Sequence, residues 1–284
     1  MTRERCADGC IRRGDQPAAS APPVRHWLLI EQPGPWGAHP WRDSALPAPV
    51  VAAVAEQAAA VNARVLLIRR PGRTPPGRRQ WAFADSTPGS ERIWWTPFDE
   101  PAELLDLGLA APRGNPSPDP VYLVCTHGKH DTCCAIRGRP LAASLATARP
   151  AQTWECSHIG GDRFAANLLV LPHGLYYGQV PAARGPMIAE RHEAGLLDVP
   201  HLRGRSTFSA PVQAAQQFVR ERTGEAGIQS FPPVSVLRVG HELWDVSLAG
   251  GGVVRVRAVF QRSDTPLTCA ASVPAAIRHF ELVE

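Results

Sequence analysis

The sequence has few of the features that mark secreted, membrane-bound or nucleotide-dependent proteins. Its first residues include no apolar stretch of the kind found in signal peptides, and its most apolar helical segment, 50–61, is short and interrupted by Glu56 and Gln57. Neither a GxGxxG nor a Walker A motif is present, which argues against a nucleotide cofactor held by either motif. The net charge of +4, from 30 basic and 26 acidic residues, is too small to indicate nucleic-acid binding. We therefore expect a cytoplasmic protein that binds neither membranes nor nucleic acids.

The composition is that of a folded protein with more than one packed unit. Apolar residues make up 44% and charged residues 20% of the 284 residues, which is typical of globular chains. Because this length exceeds the common domain size of about 100–150 residues, we expect two or three units. Proline-rich stretches near the start and at 111–120 mark boundaries between them. The predicted divisions are a flexible arm at 1–24, an N-terminal α/β unit at 25–117, a thioredoxin-like unit at 118–205, and a small C-terminal α+β unit at 206–284.

The order of the predicted elements favours an α/β fold. A strand, a helix and a second strand begin the N-terminal unit in the order that gives parallel pairing, whereas the segment 70–90 is rich in turn residues. The next unit reads strand, helix, strand, hairpin and helix, which is the thioredoxin arrangement. We find no long internal repeat. The predicted elements are strand 26–31, helix 47–61, strands 64–69, 92–96 and 121–125, helix 138–147, strands 152–156, 167–171 and 175–180, helices 183–195 and 211–222, and strands near 234–239, 242–248 and 253–260.

The first candidate site is the loop Cys-Thr-His-Gly-Lys-His-Asp-Thr-Cys-Cys at 125–134. It follows directly on a predicted buried strand, and ligands of open α/β sheets bind at the carboxyl ends of strands. Cys125 and Cys134 lie nine positions apart, with Cys133 as an alternative, and a loop of this length can bring two sulfurs to one metal ion. Such clustering in a non-secreted chain favours a metal or redox site over disulfides. The alternative is that these cysteines are small core residues.

The second candidate site is the segment Cys-Ser-His-Ile-Gly-Gly-Asp at 156–162. His158 and Asp162 lie four positions apart around a Gly-Gly pair, which lets the backbone take positive φ or approach a neighbouring group closely. Cys156 precedes His158 by two positions, so the two side chains share a face if the segment ends a strand. The alternative is that His158 is structural and Asp162 caps a helical turn.

These two motifs, with Gly-Leu-Tyr-Tyr-Gly-Gln-Val at 174–180, resemble the sucrase/ferredoxin-like family and, more widely, the thioredoxin-like ferredoxins that include the 2Fe-2S subunit of respiratory complex I. The resemblance is strong over 120–205 and weaker elsewhere. It implies a thioredoxin-like ferredoxin domain that transfers electrons with a 2Fe-2S cluster. It also implies Cys125 and Cys134 as ligands of one iron, and His158 and the position of Asp162 as ligands of the other.

One position departs from the family pattern, which has two cysteines and two histidines. This chain has Asp162 at the fourth position. Either Asp162 is an oxygen ligand, or Cys156 replaces it, or the cluster is weak or absent. We favour Asp162 because it keeps the family spacing. With this ligand the oxidised cluster carries a formal charge of about −1, between the all-cysteine and the two-histidine classes.

Two other functions stay open. A zinc-binding structural or interaction module would use Cys125, Cys134, Cys156 and His158, a set that zinc accepts. A thiol-disulfide oxidoreductase would use Cys133 and Cys134, although the Cys-x-x-Cys motif is missing and a vicinal disulfide is strained. No paired carboxylates mark the sucrose hydrolysis that the family name suggests.

An electron carrier without a nucleotide or flavin motif needs a protein redox partner. A group of arginines is a candidate basic surface for an acidic reductase, and its alternative interpretation is a solvated loop rich in proline and glycine. These arginines are Arg69, Arg70, Arg73, Arg78 and Arg79.

Overall fold

The structure, a computed structural model, describes residues 4–72, 77–112 and 115–283. These residues form a mixed α/β protein with one nine-stranded sheet, one four-stranded sheet and five α-helices, so the predicted α/β class is confirmed. The helices are α1 (Cys6–Arg13), α2 (Ala48–Ala60), α3 (Thr132–Ala148), α4 (Gly185–Glu193) and α5 (Ala210–Thr223). The strands of the large sheet are β1 (His26–Glu31), β2 (Ala63–Arg69), β3 (Arg79–Asp85), β4 (Arg92–Phe98), β5 (Val121–Cys125), β6 (Thr153–Cys156), β7 (Leu168–Leu171), β8 (Leu175–Tyr177) and β9 (Leu202–Arg205). Those of the small sheet are β10 (Pro233–Gly240), β11 (Leu243–Leu248), β12 (Gly252–Arg262) and β13 (Ala276–Val283).

The large sheet contains two halves with the same topology. The strand order is β2-β1-β3-β4 in the first half and β6-β5-β7-β8 in the second, and β9 is added at the edge. In each half the first pair is parallel and the other pairs are antiparallel. Helices α2 and α3 provide the crossovers that parallel pairs require. The protein therefore has an internal repeat of topology, although its sequence contains no long repeat.

The two halves meet where β2 and β6 pair antiparallel at their carboxyl ends. The pairing joins Ile68 to Cys156 and Arg69 to Glu155. Because β1 runs parallel to β2, and β5 parallel to β6, the loops that follow β1 and β5 face each other across this junction. His127 in the second loop makes a hydrogen bond of 2.7 Å to the carbonyl oxygen of Gly37 in the first. The predicted boundary at 117/118 thus separates two halves of one continuous sheet.

The segment 70–90, which is rich in turn residues, contains a strand that the sequence pattern did not predict. Strand β3 occupies Arg79–Asp85, where Ala82, Phe83 and Ala84 are buried. The proline and glycine residues before it favour turns in the sequence pattern. The strand forms nevertheless, because it pairs with β1 on one side and β4 on the other. Strand β13 was missed for a similar reason, since it pairs with β12 across a long connection.

The expected arm at 1–24 is also corrected over its described residues. Helix α1 lies there and buries Cys6, Ala7 and Cys10 against the rest of the protein. Its contacts come from far along the chain, so no local pattern in the sequence revealed them. The side-chain amide of Gln179, for example, donates a hydrogen bond to the sulfur of Cys10.

Helix α3 begins six residues earlier than the predicted 138, so Cys133 and Cys134 lie in its first turn. The cause is a local cap, because the Asp131 side chain accepts a hydrogen bond of 2.8 Å from the backbone N–H of Cys133. The helix then packs closely on the end of β5. At Gly138 an added methyl group would come within 2.1 Å of the carbonyl oxygen of Cys125.

None of the helices in the described part of the chain is long and apolar enough to cross a lipid bilayer.

The close approach at Gly138 makes a prediction about stability. Gly138→Ala should lower the free energy of unfolding by about 2–3 kcal/mol, because relief of the clash requires backbone movement at the start of the 125–134 loop. Urea unfolding of the full-length protein measures this. Gly240→Ala is the control, since its added methyl group meets neighbours only at 3.5 Å. Equal effects of the two substitutions would contradict the packing described here.

Candidate metal centre

The four residues predicted to hold the cofactor meet at one place. Cys125 ends β5, Cys134 lies in the first turn of α3, and His158 follows β6. The two sulfurs and a ring nitrogen of His158 lie within 4.8 Å of one another. Asp162 begins a short 3-10 turn, and its Oδ1 lies 3.5 Å from the Cys134 sulfur and 3.0 Å from Nδ1 of His158. The group is buried, with Cys125 and Cys134 each 1% exposed and Asp162 5% exposed.

The Gly-Gly pair takes the positive φ values that its sequence suggested. Gly160 and Gly161 have φ of 95° and 82°, and this turn brings Asp162 back toward His158. A methyl group on Gly161 would lie within 2.7 Å of the guanidinium of Arg203. That buried guanidinium donates hydrogen bonds to the carbonyl oxygen of Gly160, at 2.7 Å, and to Oδ1 of Asn167, at 2.8 Å. Arg203 therefore holds in place the loop that carries His158 and Asp162.

The electrostatics of the group favour one deprotonated sulfur. The contact with Cys134, the ring of His158 and the backbone N–H of His127 hold the pKa of Cys125 well below its usual range, although burial opposes this. The same contact and burial raise the pKa of Cys134, so the pair shares one proton. Burial acts against a charged ring at His158, but the carboxylate of Asp162 and the thiolate of Cys125 raise its pKa to about 9.

The ring of His158 is held by a contact that a metal ion could replace. Its buried Nδ1 lies 3.0 Å from Oδ1 of Asp162, so the two groups form an ion pair, but the geometry does not give a well-aligned hydrogen bond. A buried polar atom without a good hydrogen bond is costly. Coordination of a metal ion by the neutral ring would satisfy this nitrogen.

Two further histidines of the 125–134 loop belong to the site, although only the cysteines of that loop were assigned from the sequence. His130 stacks on His158 with ring centroids 3.8 Å apart, and its Nε2 lies 3.7 Å from Oδ2 of Asp162. His127 stacks more loosely on His130 and joins the group to Gly37 of the first half. With 37% of its side chain exposed, His130 is where the group reaches the surface. Their place in the cysteine loop was the only sequence signal for these roles.

The structure does not bring the alternates Cys133 and Cys156 into this group. Cys133 points away from Cys134 and contacts Cys269. Cys156 is buried in the apolar core with Ile68 and Trp154, and burial raises its pKa well above the usual range. Within the described residues, neither sulfur joins the group formed by Cys125, Cys134 and His158.

The arginines proposed as a docking surface are largely engaged within the protein. Arg69 pairs with Glu155 at 2.7 Å, and Arg70 lies over the ring of Trp154 while donating to backbone oxygens. Arg78 pairs with Asp99, and Arg79 donates to the backbone oxygen of that aspartate. Arg73 lies outside the described residues. The observed contacts give most of this group a structural role.

The fold and the site define an α/β protein in which cysteine, histidine and aspartate side chains come together in a group that could hold a metal ion. The model of the sucrase/ferredoxin-like family matches residues 17–204, which is more than half of the chain. The chain therefore belongs to the sucrase/ferredoxin-like family. No curated protein and no solved structure matches it.

The geometry predicts which cysteines matter for metal binding. Cys125→Ser or Cys134→Ser should weaken metal binding by more than about 100-fold, because changes that only alter a ligand's hydrogen bonds already cost about 10–100-fold. Cys156→Ser is the matched control, being equally buried and in register with Cys125. This variant should bind metal with the affinity of the unmodified protein. Elemental analysis after anaerobic loading checks this, and loss of metal only in the Cys156 variant would show that the wrong sulfurs were assigned.

Proposed function

We propose that this chain is an electron-transfer protein that binds one 2Fe-2S cluster through Cys125, Cys134, His158 and Asp162. One observation carries the proposal. Two pairs of donors, sulfurs from one loop and an imidazole with a carboxylate from the next, converge in a buried group. They do so in a chain of the sucrase/ferredoxin-like family.

The residues fit such a cofactor by their chemistry. Thiolates and imidazoles are the ligands of mixed cysteine-histidine clusters. The pKa of Cys125 is held low by its contact with Cys134 and by the ring of His158, so binding would release chiefly the proton of Cys134 and the ring proton of His158. The carboxylate of Asp162, whose pKa is kept low by His158 despite burial, is ionised and ready to bind. When bound, a 2Fe-2S cluster supplies reversible one-electron chemistry.

The protein side chains would control that chemistry through charge and rigidity. Asp162 adds a negative charge that a histidine ligand would not, which lowers the potential relative to the two-histidine class. Arg64 donates to the backbone oxygen of His158 at 2.9 Å, and Arg203 holds Gly160. Ligands held in this way move little when the charge of the site changes, which favours fast electron transfer.

A protein redox partner would approach where the group reaches the surface. His130 is the exposed member of the histidine stack, so we place the docking area around it rather than at the arginines near 70–79. The described cysteines form no disulfide and most of them lie in metal-ligating groups, which favours a reducing compartment such as the cytoplasm.

A zinc-binding module is the second candidate, and one observation favours it. The donors are packed closely, at 3.0 Å between His158 and Asp162 and 3.5 Å between Asp162 and Cys134, which suits a single tetrahedral ion better than a two-iron cluster. A thiol-disulfide oxidoreductase based on Cys133 and Cys134 has no comparable support, because these two sulfurs face different groups.

Anaerobic purification separates the two candidates. The proposal predicts a brown protein with two iron and two sulfide ions per chain in this site, and an EPR signal after one-electron reduction. A colourless protein with zinc bound by Cys125 and Cys134 would refute the electron-transfer function and support the zinc module.

The ligand charge of Asp162 gives a prediction for the potential. Asp162→His should raise the midpoint potential by on the order of 100 mV, since the formal charge of the oxidised cluster changes from about −1 to about 0. Lys129→Gln is the control, because it changes the net charge of the same loop at an exposed position and should have a small, salt-screened effect. Redox titration of both variants checks this. An unchanged or lowered potential in the histidine variant would exclude Asp162 as a ligand.

A further inference from the structure

A second group of metal-ligating side chains lies next to the first and plays no part in the proposed electron transfer. The sulfurs of Cys6, Cys133 and Cys269 and a carboxylate oxygen of Asp131 all lie within 4.8 Å of one another. They come from helix α1, from the start of helix α3 and from the connection between β12 and β13. Cys6 and Cys269 are outside the residues 17–204 that match the family model, so the group is not explained by membership of the family.

The spacing of the atoms is that of a tetrahedral metal site. The Cys269 sulfur lies 3.5 Å from that of Cys133 and 3.6 Å from that of Cys6. Oδ2 of Asp131 lies 3.5 Å from the Cys6 sulfur. Zinc bonds of about 2.3 Å to sulfur and about 2.0 Å to oxygen imply tetrahedral edges of about 3.8 Å between sulfurs and about 3.5 Å between sulfur and oxygen. A disulfide requires about 2.05 Å, which no pair approaches.

The carboxylate is already oriented for coordination. Oδ1 of Asp131 accepts the backbone N–H of Cys133 at 2.8 Å, and Oδ2 accepts the backbone N–H of Cys269 at 2.6 Å. Each oxygen keeps a further lone pair for a metal. Hydrogen bonds that fix a ligand in this way are typical of built metal sites.

The surroundings also suit a structural ion. Cys6, Cys133 and Asp131 are buried, and Cys269 is partly exposed, which leaves one side for the entry of an ion. Three sulfurs with one carboxylate favour zinc over magnesium or calcium, which prefer oxygen ligands. The guanidinium of Arg163 pairs with Asp15 at 3.6 Å and also interacts electrostatically with Cys6, so it lies near enough to offset part of the charge of an anionic site.

We propose that Cys6, Cys133, Cys269 and Asp131 form a structural zinc site that ties helix α1 and the β12–β13 connection to the start of helix α3. Binding of Zn²⁺ releases the protons of the three thiols to solvent and involves no redox change. The ion joins residues 263 positions apart in the chain. Asp131 caps helix α3, and Cys133 lies in its first turn directly before Cys134. The zinc site therefore also stabilises the position of one ligand of the neighbouring centre.

The test is elemental analysis of the full-length protein, purified with a reductant and supplied with zinc. The unmodified protein should hold one zinc ion that Cys6→Ser and Cys269→Ser lose, while iron and visible absorption stay unchanged. Cys10→Ser is the matched control, since Cys10 is a buried thiol of the same helix that belongs to neither group. Cobalt in place of zinc should give thiolate-to-metal charge-transfer bands that weaken with each cysteine removed.

Asp131→Asn is a second variant that retains the helix cap, because its amide oxygen still accepts the backbone N–H of Cys133, although it loses the bond from the backbone N–H of Cys269. It should bind zinc at least about 10-fold more weakly in competition with a chelator, with an unchanged circular dichroism spectrum. Zinc content that is the same in the Cys6 and Cys269 variants, or a Cys133–Cys269 disulfide in the native protein, would overturn the proposal. Cys125→Ser separates the two centres, because it removes the metal of the first site and leaves this zinc in place.

Discussion

The pairing of strand β6 with its two neighbours, β5 and β2, is the constraint on which the candidate centre depends. The parallel pairing with β5 places Cys156 opposite Cys125. The contact with β2 consists of two residue pairs, and Glu155 holds β6 in register by binding Arg69 of β2 at 2.7 Å and the hydroxyl of Thr126, just beyond β5, at 3.0 Å. A shift of one residue in β6 would turn its side chains to the opposite faces of the sheet. Since His158 follows β6 and Cys125 ends β5, the register of β6 sets the separation of the two donor pairs.

The arrangement concentrates ionisable groups where water is largely excluded. Each charge in the first centre has a partner within it, which is the condition under which buried charges are tolerated. Arg64 and Arg203 donate hydrogen bonds to the backbone oxygens of His158 and Gly160, so the loop that carries the donor atoms of His158 and Asp162 has a fixed position. The second group of cysteines shares helix α3 with the first through adjacent residues, Cys133 and Cys134, whose sulfurs face in different directions.

The sequence was most informative where structure is local. The strands that end at Glu31 and Cys125 are short apolar runs, and the glycine pair at 160–161 indicates a turn with positive φ. The first centre could therefore be predicted from residue spacing and family resemblance. Contacts between distant segments could not. The topological repeat carries no sequence repeat, strand β3 is defined by its two neighbours, and the meeting of Cys6 with Cys269 depends on the whole fold. The sequence shows His130 in the cysteine loop, but its stacking on His158 could not be predicted, because the two residues come from different loops.

The most direct test of the account is hyperfine spectroscopy of the reduced protein after labelling its histidines with ¹⁵N. If imidazole and thiolate bind the same cluster, the spectrum should contain one strongly coupled histidine nitrogen, and His158→Ala should abolish that coupling whereas His130→Ala should retain it. A reduced iron-sulfur signal without any coupled histidine nitrogen, or with coupling that persists in the His158 variant, would contradict the assignment of the centre.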